Sequence, residues 1–241
     1  MLLGNNAYRV SQRLREARNE IQSLNTQIKE QVLIRYLPPD LINDIFNGKI
    51  SMDTKPHIQQ ITVLFSDLSG FTKMSEKHGA EVVSDFLNDY LTIMNETIFA
   101  NKGTIDKFIG DAIMVMFGAP KPMAPAEQIQ RATDCAKAMQ QALEAFNQRW
   151  ANRDISQLAM RIGIHHGPAV VGNFGSDKRS DYTAIGPTVN LASRIETACE
   201  PGYVFLSPQV SEHLKNGSTE SAGEFDLKGV EGKQSLLRLA T

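Results

Sequence analysis

Apolar residues in the first thirty positions recur at seven-residue spacing: Ala7, Leu14, Ile21 and Ile28 form one row, and Val10, Ala17 and Leu24 a second that then meets Gln31. Arg, Glu, Gln and Asn fill the positions between. So narrow a stripe is the pattern of a coiled-coil seam, whereas a helix packed on a globule carries a wider apolar face. The polar faces are too broad for burial in a core, which favours the seam over a solvated helix that merely touches its own domain. A parallel two-stranded seam would hold two copies of the following chain side by side. The prolines of Tyr36-Leu37-Pro38-Pro39-Asp40 stop that helix and stiffen the joint. Asp40 then caps a short helix, Leu41 to Phe46, which ends at Asn47-Gly48. The expected organisation is a coiled-coil helix over 1–37, a short helix and linker over 38–56, and one globular domain over 57–241.

From His57 the period changes. Ile58 to Phe65 is β-branched and apolar, a strand ending at Ser66-Asp67, and a Gly-containing loop follows over Leu68 to Thr72. Val82, Phe86, Tyr90, Ile93, Met94 and Ile98 mark one side of a helix over Glu81 to Phe99. Thr104 to Ile109 and Ala112 to Phe117 flank a tight Gly110-Asp111 turn. Ala126 to Trp150 reads as a long helix, and Leu158 to His165 with Ala169 to Asn173 as a hairpin about Gly167. Tyr182 to Ile185 is short and extended, and Thr188 to Cys199 is a helix stopped by Pro201-Gly202. Val204 to Leu206, a helix over Pro208 to Leu214, and strands near Phe225 and Leu236 close the chain. The early order of strand, helix, strand, strand, helix, strand predicts an α+β domain: a ferredoxin-like split βαβ sheet with helices packed on one face.

Composition narrows the partners. A net charge of -2 over 241 residues advertises no basic face, so nucleic acid is not an expected partner. Cys135 and Cys199 sit in apolar helical patterns without metal or disulfide spacing, as expected for buried, reduced thiols. No apolar run reaches the roughly 18–20 residues of a membrane helix. The expected setting is therefore cytoplasmic, with no membrane contact by this segment.

The chemistry-bearing residues fall into three sets. Asp67 follows one core strand and Asp111 sits at the tip of the next hairpin. If those strands are neighbours, two carboxylates converge at one end of the sheet. Hard divalent ions take such carboxylates plus substrate phosphate oxygens, and the Leu68 carbonyl is close enough in sequence to add a ligand. Gly-Asp at a hairpin tip also serves plain turn geometry. Asn190 and Arg194 lie four apart on one helix face. An amide there suits a ribose oxygen and a guanidinium suits a phosphate, yet a solvated helix face has the same composition. Lys178-Arg179 and Lys228 could meet a triphosphate or simply face water. His165-His166, lacking further ligands at metal spacing, reads as structural.

Four segments occur in order and at matching spacing: Thr62-Val63-Leu64-Phe65-Ser66-Asp67-Leu68-Ser69-Gly70-Phe71-Thr72, Lys107-Phe108-Ile109-Gly110-Asp111, Arg161-Ile162-Gly163-Ile164-His165-His166-Gly167, and Thr188-Val189-Asn190-Leu191-Ala192-Ser193-Arg194. Together they resemble class III adenylyl and guanylyl cyclases, particularly the bacterial and cyanobacterial adenylyl type, from about Ile58 to the C-terminus. The resemblance implies conversion of ATP to 3′,5′-cyclic AMP and pyrophosphate. By similarity Asp67, Asp111 and the Leu68 carbonyl would hold two Mg²⁺ or Mn²⁺ ions. Asn190 would orient the ribose and Arg194 would stabilise the transition state. Lys228, and Arg179 or its neighbour Lys178, would contact the triphosphate. Lys107 and Thr183 stand at the base-reading positions, where Lys suits adenine and guanylyl enzymes tend to carry Glu; many adenylyl enzymes carry Asp where this chain has Thr183. In the family the aspartates come from one subunit and Lys107, Thr183, Asn190 and Arg194 from the other. A homodimer with two equivalent shared sites is thus implied, with the N-terminal helix as the regulatory input from an upstream sensor domain.

Overall fold

The computed structural model describes residues 2–28, 39–51, 55–153, 155, 157–176, 179–214 and 218–240. The chain divides into two compact units, Met1–Lys49 and Ile50–Thr241. The first unit holds helix α1 (Leu2–Gln27) and helix α2 (Pro39–Phe46). The stripe predicted on α1 is uncovered: Val10, Leu14, Ile21 and Leu24 are all at least half exposed. The joint at Tyr36-Leu37-Pro38 and the stripe's Gln31 lie outside the described residues. Helix α2 starts one residue before the expected Asp40 cap, because proline at a first helical position lacks only an N–H that would have no partner there. It stops where Gly48 turns left-handed at φ 71° and its N–H meets the Ile45 carbonyl at 3.0 Å.

The second unit is a mixed sheet built from β1 (His57–Ser69), β2 (Thr104–Ile109), β3 (Ala112–Phe117), β4 (Ala159–Ser176), β5 (Arg179–Ile185), β6 (Val204–Leu206), β7 (Thr219–Asp226) and β8 (Lys233–Leu239). Helices α3 (Phe71–Lys77), α4 (Ala80–Ala100), α5 (Pro125–Trp150), α6 (Pro187–Ala198) and α7 (Pro208–Ser211) connect them. Strand order is β2-β3-β1-β4-β6-β8-β7, with β5 paired to β4. The β2-β3-β1-β4 portion is the predicted split βαβ arrangement. No helix among the described residues is long and apolar enough to cross a membrane.

Alternation along β1 explains both faces. Leu64 and Leu68 pack under α4 and α5 with Phe86, Tyr90, Met94 and Ile98, which recur every four residues, and with Ile129, Met139 and Phe146. Phe86 sets its ring edge-on to Phe146 and Trp150 at centroid distances of 4.9 and 5.2 Å. Truncating so enclosed a ring costs about 3–5 kcal/mol. Ile61, Val63 and Phe65 point the other way, toward Met114, Met116, Ala184 and Ala192 of α6. Helices therefore cover both faces, where one was expected.

Two strand boundaries also differ from the sequence reading. Strand β1 continues through Asp67 to Ser69, because β4 supplies a partner as far as Ser69↔Ala159. Strand β4 runs unbroken through Gly167, so the hairpin is formed by β4 with β5. Gly167 is needed for proximity rather than for a turn: a Cβ there would stand 2.9 Å from Thr188 Oγ1 on α6.

Candidate active site

The register brings the two predicted carboxylates together. Ser66 of β1 pairs with Ile113 of β3, so Asp111, two residues earlier in the β2–β3 turn, lies alongside the end of β1. The Leu68 N–H donates to Asp111 Oδ2 at 3.1 Å. Burial, and next the Asp67 charge, push the Asp111 carboxyl above its ordinary range.

Two residues that sequence reasoning did not single out complete this cluster. Arg161 stands opposite Asp67 in the β1–β4 ladder and donates from a guanidinium nitrogen to Asp67 Oδ2. Its Nε also lies 3.3 Å from Glu196 Oε1 on α6. Burial of Glu196 outweighs the pull of Arg161, and the Asp67 charge adds to it, so this carboxyl is pushed up to about 7. Arg161 opened one of the quoted segments, and Glu196 follows Arg194 by two residues on a face with buried Ala192 and Ile195. Those were the available signals, and only the strand register gives them meaning.

The donor set fits a hard divalent ion. Two carboxylates, one on β1 and one in the β2–β3 turn, stand close enough for the Asp67 charge to raise the cost of ionising Asp111, and Asp67 leans on a cation of the chain itself. Among the described residues no three His, Cys, Asp or Glu side chains form a closed cage.

Asn190 and Arg194 share α6, Asn190 exposed and Arg194 half-buried. Neither bonds to Asp67 or Asp111 among the described residues; it is Glu196 that faces that cluster. The helix lies directly on β4 because Gly163 has no side chain: a Cβ there would stand 2.1 Å from the Glu196 backbone nitrogen. Lys107 and Thr183 do come together. Thr183 Oγ1 donates to Asp106 Oδ2 at 2.8 Å, and Lys107 Nζ lies 3.5 Å from the same oxygen. Asp106, unnoticed in the sequence, is thus the link between β2 and β5. Lys228 is exposed in the turn after β7, with β4, β6 and β8 between that strand and β1. Arg179 opens β5 opposite Ser176, while its side chain and all of Lys178 lie outside the described residues.

The split βαβ sheet thus carries two carboxylates at one end, Asp67 on β1 and Asp111 in the β2–β3 turn, with Asn190 and Arg194 on α6. The chain belongs to the adenylate and guanylate cyclase catalytic domain family, which it matches over residues 54–239. It is 40% identical to adenylate cyclase 1 of Rhizobium meliloti over 138 residues, 57% of this chain and 20% of the relative. It is also 40% identical to the adenylate cyclase of Anabaena cylindrica over 146 residues, 57% of this chain and 27% of the relative. The chain therefore corresponds to about a quarter or less of the length of these curated relatives. Among solved structures, the adenylyl cyclase CyaB from P. aeruginosa superposes with a TM-score of 0.76 at 36% identity, covering 78% of this chain and 97% of that one. The guanylyl cyclase Cya2 does so at 0.72 and 38%, covering 78% and 94%.

Proposed function

We propose that this domain is an adenylyl cyclase, turning ATP into 3′,5′-cyclic AMP and pyrophosphate in sites shared between two copies of the chain. The observation that carries the reading is the separation of two complementary half-sites. Asp67 and Asp111 converge on the sheet, while Asn190 and Arg194 stand on α6 without a bond to them among the described residues. A nucleotide joining the aspartates of one copy to α6 of the other would use both. Two bound Mg²⁺ or Mn²⁺ ions would supply activation of the ribose 3′-hydroxyl and neutralisation of the triphosphate charge.

The residues of the chain do the rest. Asp67, Asp111 and the Leu68 carbonyl would hold the ions, and Arg161 supports the Asp67 carboxylate from the side. Asn190 would donate to and accept from the ribose, fixing the 3′-oxygen in line with the α-phosphorus. Arg194 would spread its donors over the phosphoryl oxygens as charge builds there. Lys228 and Arg179 would contact the triphosphate. Lys107 would donate to adenine N1, with Thr183 beside it.

Identity to solved relatives does not choose the base, since CyaB and Cya2 lie at 36% and 38%. The Lys107/Thr183 pair favours ATP, because an ammonium cannot accept the guanine N1–H. The exposed stripe on α1 favours a seam with a second copy. We assign 1–37 to that coiled coil, as the input from an upstream sensor, 38–56 to the linker and 57–241 to catalysis.

The test is a side-by-side assay of ATP and GTP with Mn²⁺ across protein concentration, followed by mixing of Asp67→Ala with Asn190→Ala chains. ATP turnover that rises with dimer formation, and recovery in an equimolar mixture up to about a quarter of wild-type activity, are expected, since about half the dimers are mixed and each of those has one intact site of two. Preference for GTP would overturn the adenylyl reading, and a confirmed mixed dimer without recovery would overturn the shared site.

A further inference from the structure

Asp106 is a buried carboxylate with no assigned task. Its side chain is 1% exposed, lies 3.5 Å from Lys107 Nζ and also feels the negative charge of Asp181. The β2–β3 register shifts between Ile105 and Lys107, pairing Ile105 with Val115 and Lys107 with Met114. Asp106 is thus the extra residue of a β-bulge, a device that re-aims a side chain. Here it aims the carboxylate at β5, where Oδ2 takes the Thr183 proton at 2.8 Å. Oδ1 is buried with no hydrogen-bond partner among the described residues. A chain that needed only a staple between β2 and β5 could have used a neutral amide and avoided burying charge.

We propose that Asp106 sets base selectivity by committing the Thr183 hydroxyl proton, so that Thr183 meets the purine as an acceptor only. The inference rests on the base-reading role proposed for Lys107 and Thr183, and it deepens that role. A threonine hydroxyl is ambidextrous, with one proton and two lone pairs. An unconstrained one would donate to the guanine 6-oxo group as readily as it would accept from the adenine 6-amino group. Burial pushes the Asp106 carboxyl up, and the Thr183 hydrogen bond and the Lys107 charge oppose that; as an ionised group it only accepts, so the bond to Asp106 fixes the direction. What remains toward a ligand is a Lys107 donor beside a Thr183 acceptor. That pair complements the N1 acceptor and 6-amino donor of adenine. Guanine would set its O6 against the Thr183 lone pairs and its N1–H against the ammonium. The unpartnered Oδ1 adds negative potential behind the hydroxyl, again favouring an amino group. Being buried, Asp106 acts through Thr183 and is a positioning residue.

The experiment measures kcat/KM for ATP and for GTP, with Mn²⁺, on the full chain and on Asp106→Asn. The amide is isosteric and can donate to the Thr183 oxygen, turning the hydroxyl proton outward. A mismatched hydrogen bond in a buried site costs roughly tenfold or more. The ATP/GTP ratio should therefore fall about tenfold or more, with turnover of GTP held or raised. In a Thr183→Val background the same change should leave the ratio unmoved, because the residue relaying the effect is gone. Asp106→Ala carries the same measurement should the amide variant fail to fold. A wild-type chain that prefers GTP overturns the adenylyl reading and this one with it. A wild-type chain that prefers ATP, with a folded Asp106 variant whose ratio stays within about twofold, overturns this inference alone. An equal loss for both nucleotides would reduce Asp106 to a staple.

Discussion

Replacing Gly163 with alanine tests the link between packing and turnover with a single methyl group. The new Cβ would meet backbone on one side only: the Glu196 nitrogen at 2.1 Å, the Glu196 Cα at 2.6 Å and the Ala192 carbonyl oxygen at 2.7 Å. No rotamer change relieves contacts with a helix backbone. The 2.1 Å approach falls about 1.3 Å short of the 3.4 Å at which ordinary contact begins, so α6 has to lift by about that much. Overpacking of this kind costs about 1–3 kcal/mol. In a unit of this size that lowers the melting temperature by roughly 2–12 °C. Asn190 and Arg194 ride on the same helix and move with it. A displacement near 1 Å of such groups costs about a hundredfold in rate. The assay pairs a thermal melt with kcat and KM for ATP at a temperature where the variant is folded, and sedimentation checks that the proposed dimer persists. The expected result is a modest loss of stability with a loss of kcat about a hundredfold and a smaller change in KM. A variant with wild-type melting would refute the packing argument. One that is destabilised yet turns over ATP at the wild-type rate would refute the role given to α6.

Further outcomes follow from the same geometry. Asp67→Ala and Asp111→Ala should each reduce turnover by about a thousandfold or more while leaving the proposed dimer intact by sedimentation, since the carboxylates proposed to hold the ions are lost and no core side chain is. Burial, and then the neighbouring His166, hold the His165 pKa down at about 4. The unfolded chain takes up that proton below about 6.5, so stability present above that pH is lost as pH falls toward about 4, by up to about 3 kcal/mol. His165→Asn, which can keep the bond to Ser207 Oγ, should flatten this limb in urea melts at pH 7 and 4.5; an equal loss in both proteins removes His165 from the explanation. The thiols of Cys135 and Cys199 are buried and each pushed up to about 12, so both should resist iodoacetamide at pH 8 until denaturant is added. Rapid labelling of either in the folded protein would contradict that burial.

Local signals carried much of the fold. The β-branched, apolar run from Ile58 to Phe65, the Gly110-Asp111 turn and the four-residue spacing on α4 are each written within a few neighbours, and each element appeared where expected. The aspartate pair was legible because both ends of the pairing were marked by such signals. Asp106, Arg161 and Glu196 were not legible, because their meaning comes from partners 77, 94 and 35 residues away, and for Asp106 from a one-residue bulge that no composition reveals. The hairpin misplaced at Gly167 has the same origin. That glycine resembles a turn residue until the helix crossing above it is known.

Strand β4 touches β1, β5, β6, α5, α6 and α7 at once. Arg161 braces an aspartate, Gly163 seats a helix, His165 and His166 reach side chains on either hand, and at Gly172 the Pro56 backbone leaves no room for a methyl group. For anyone building libraries to retune this enzyme, residues 159–176 are thus the stretch to leave alone, and diversity is better spent at Lys107, Thr183 and the turns beyond β7.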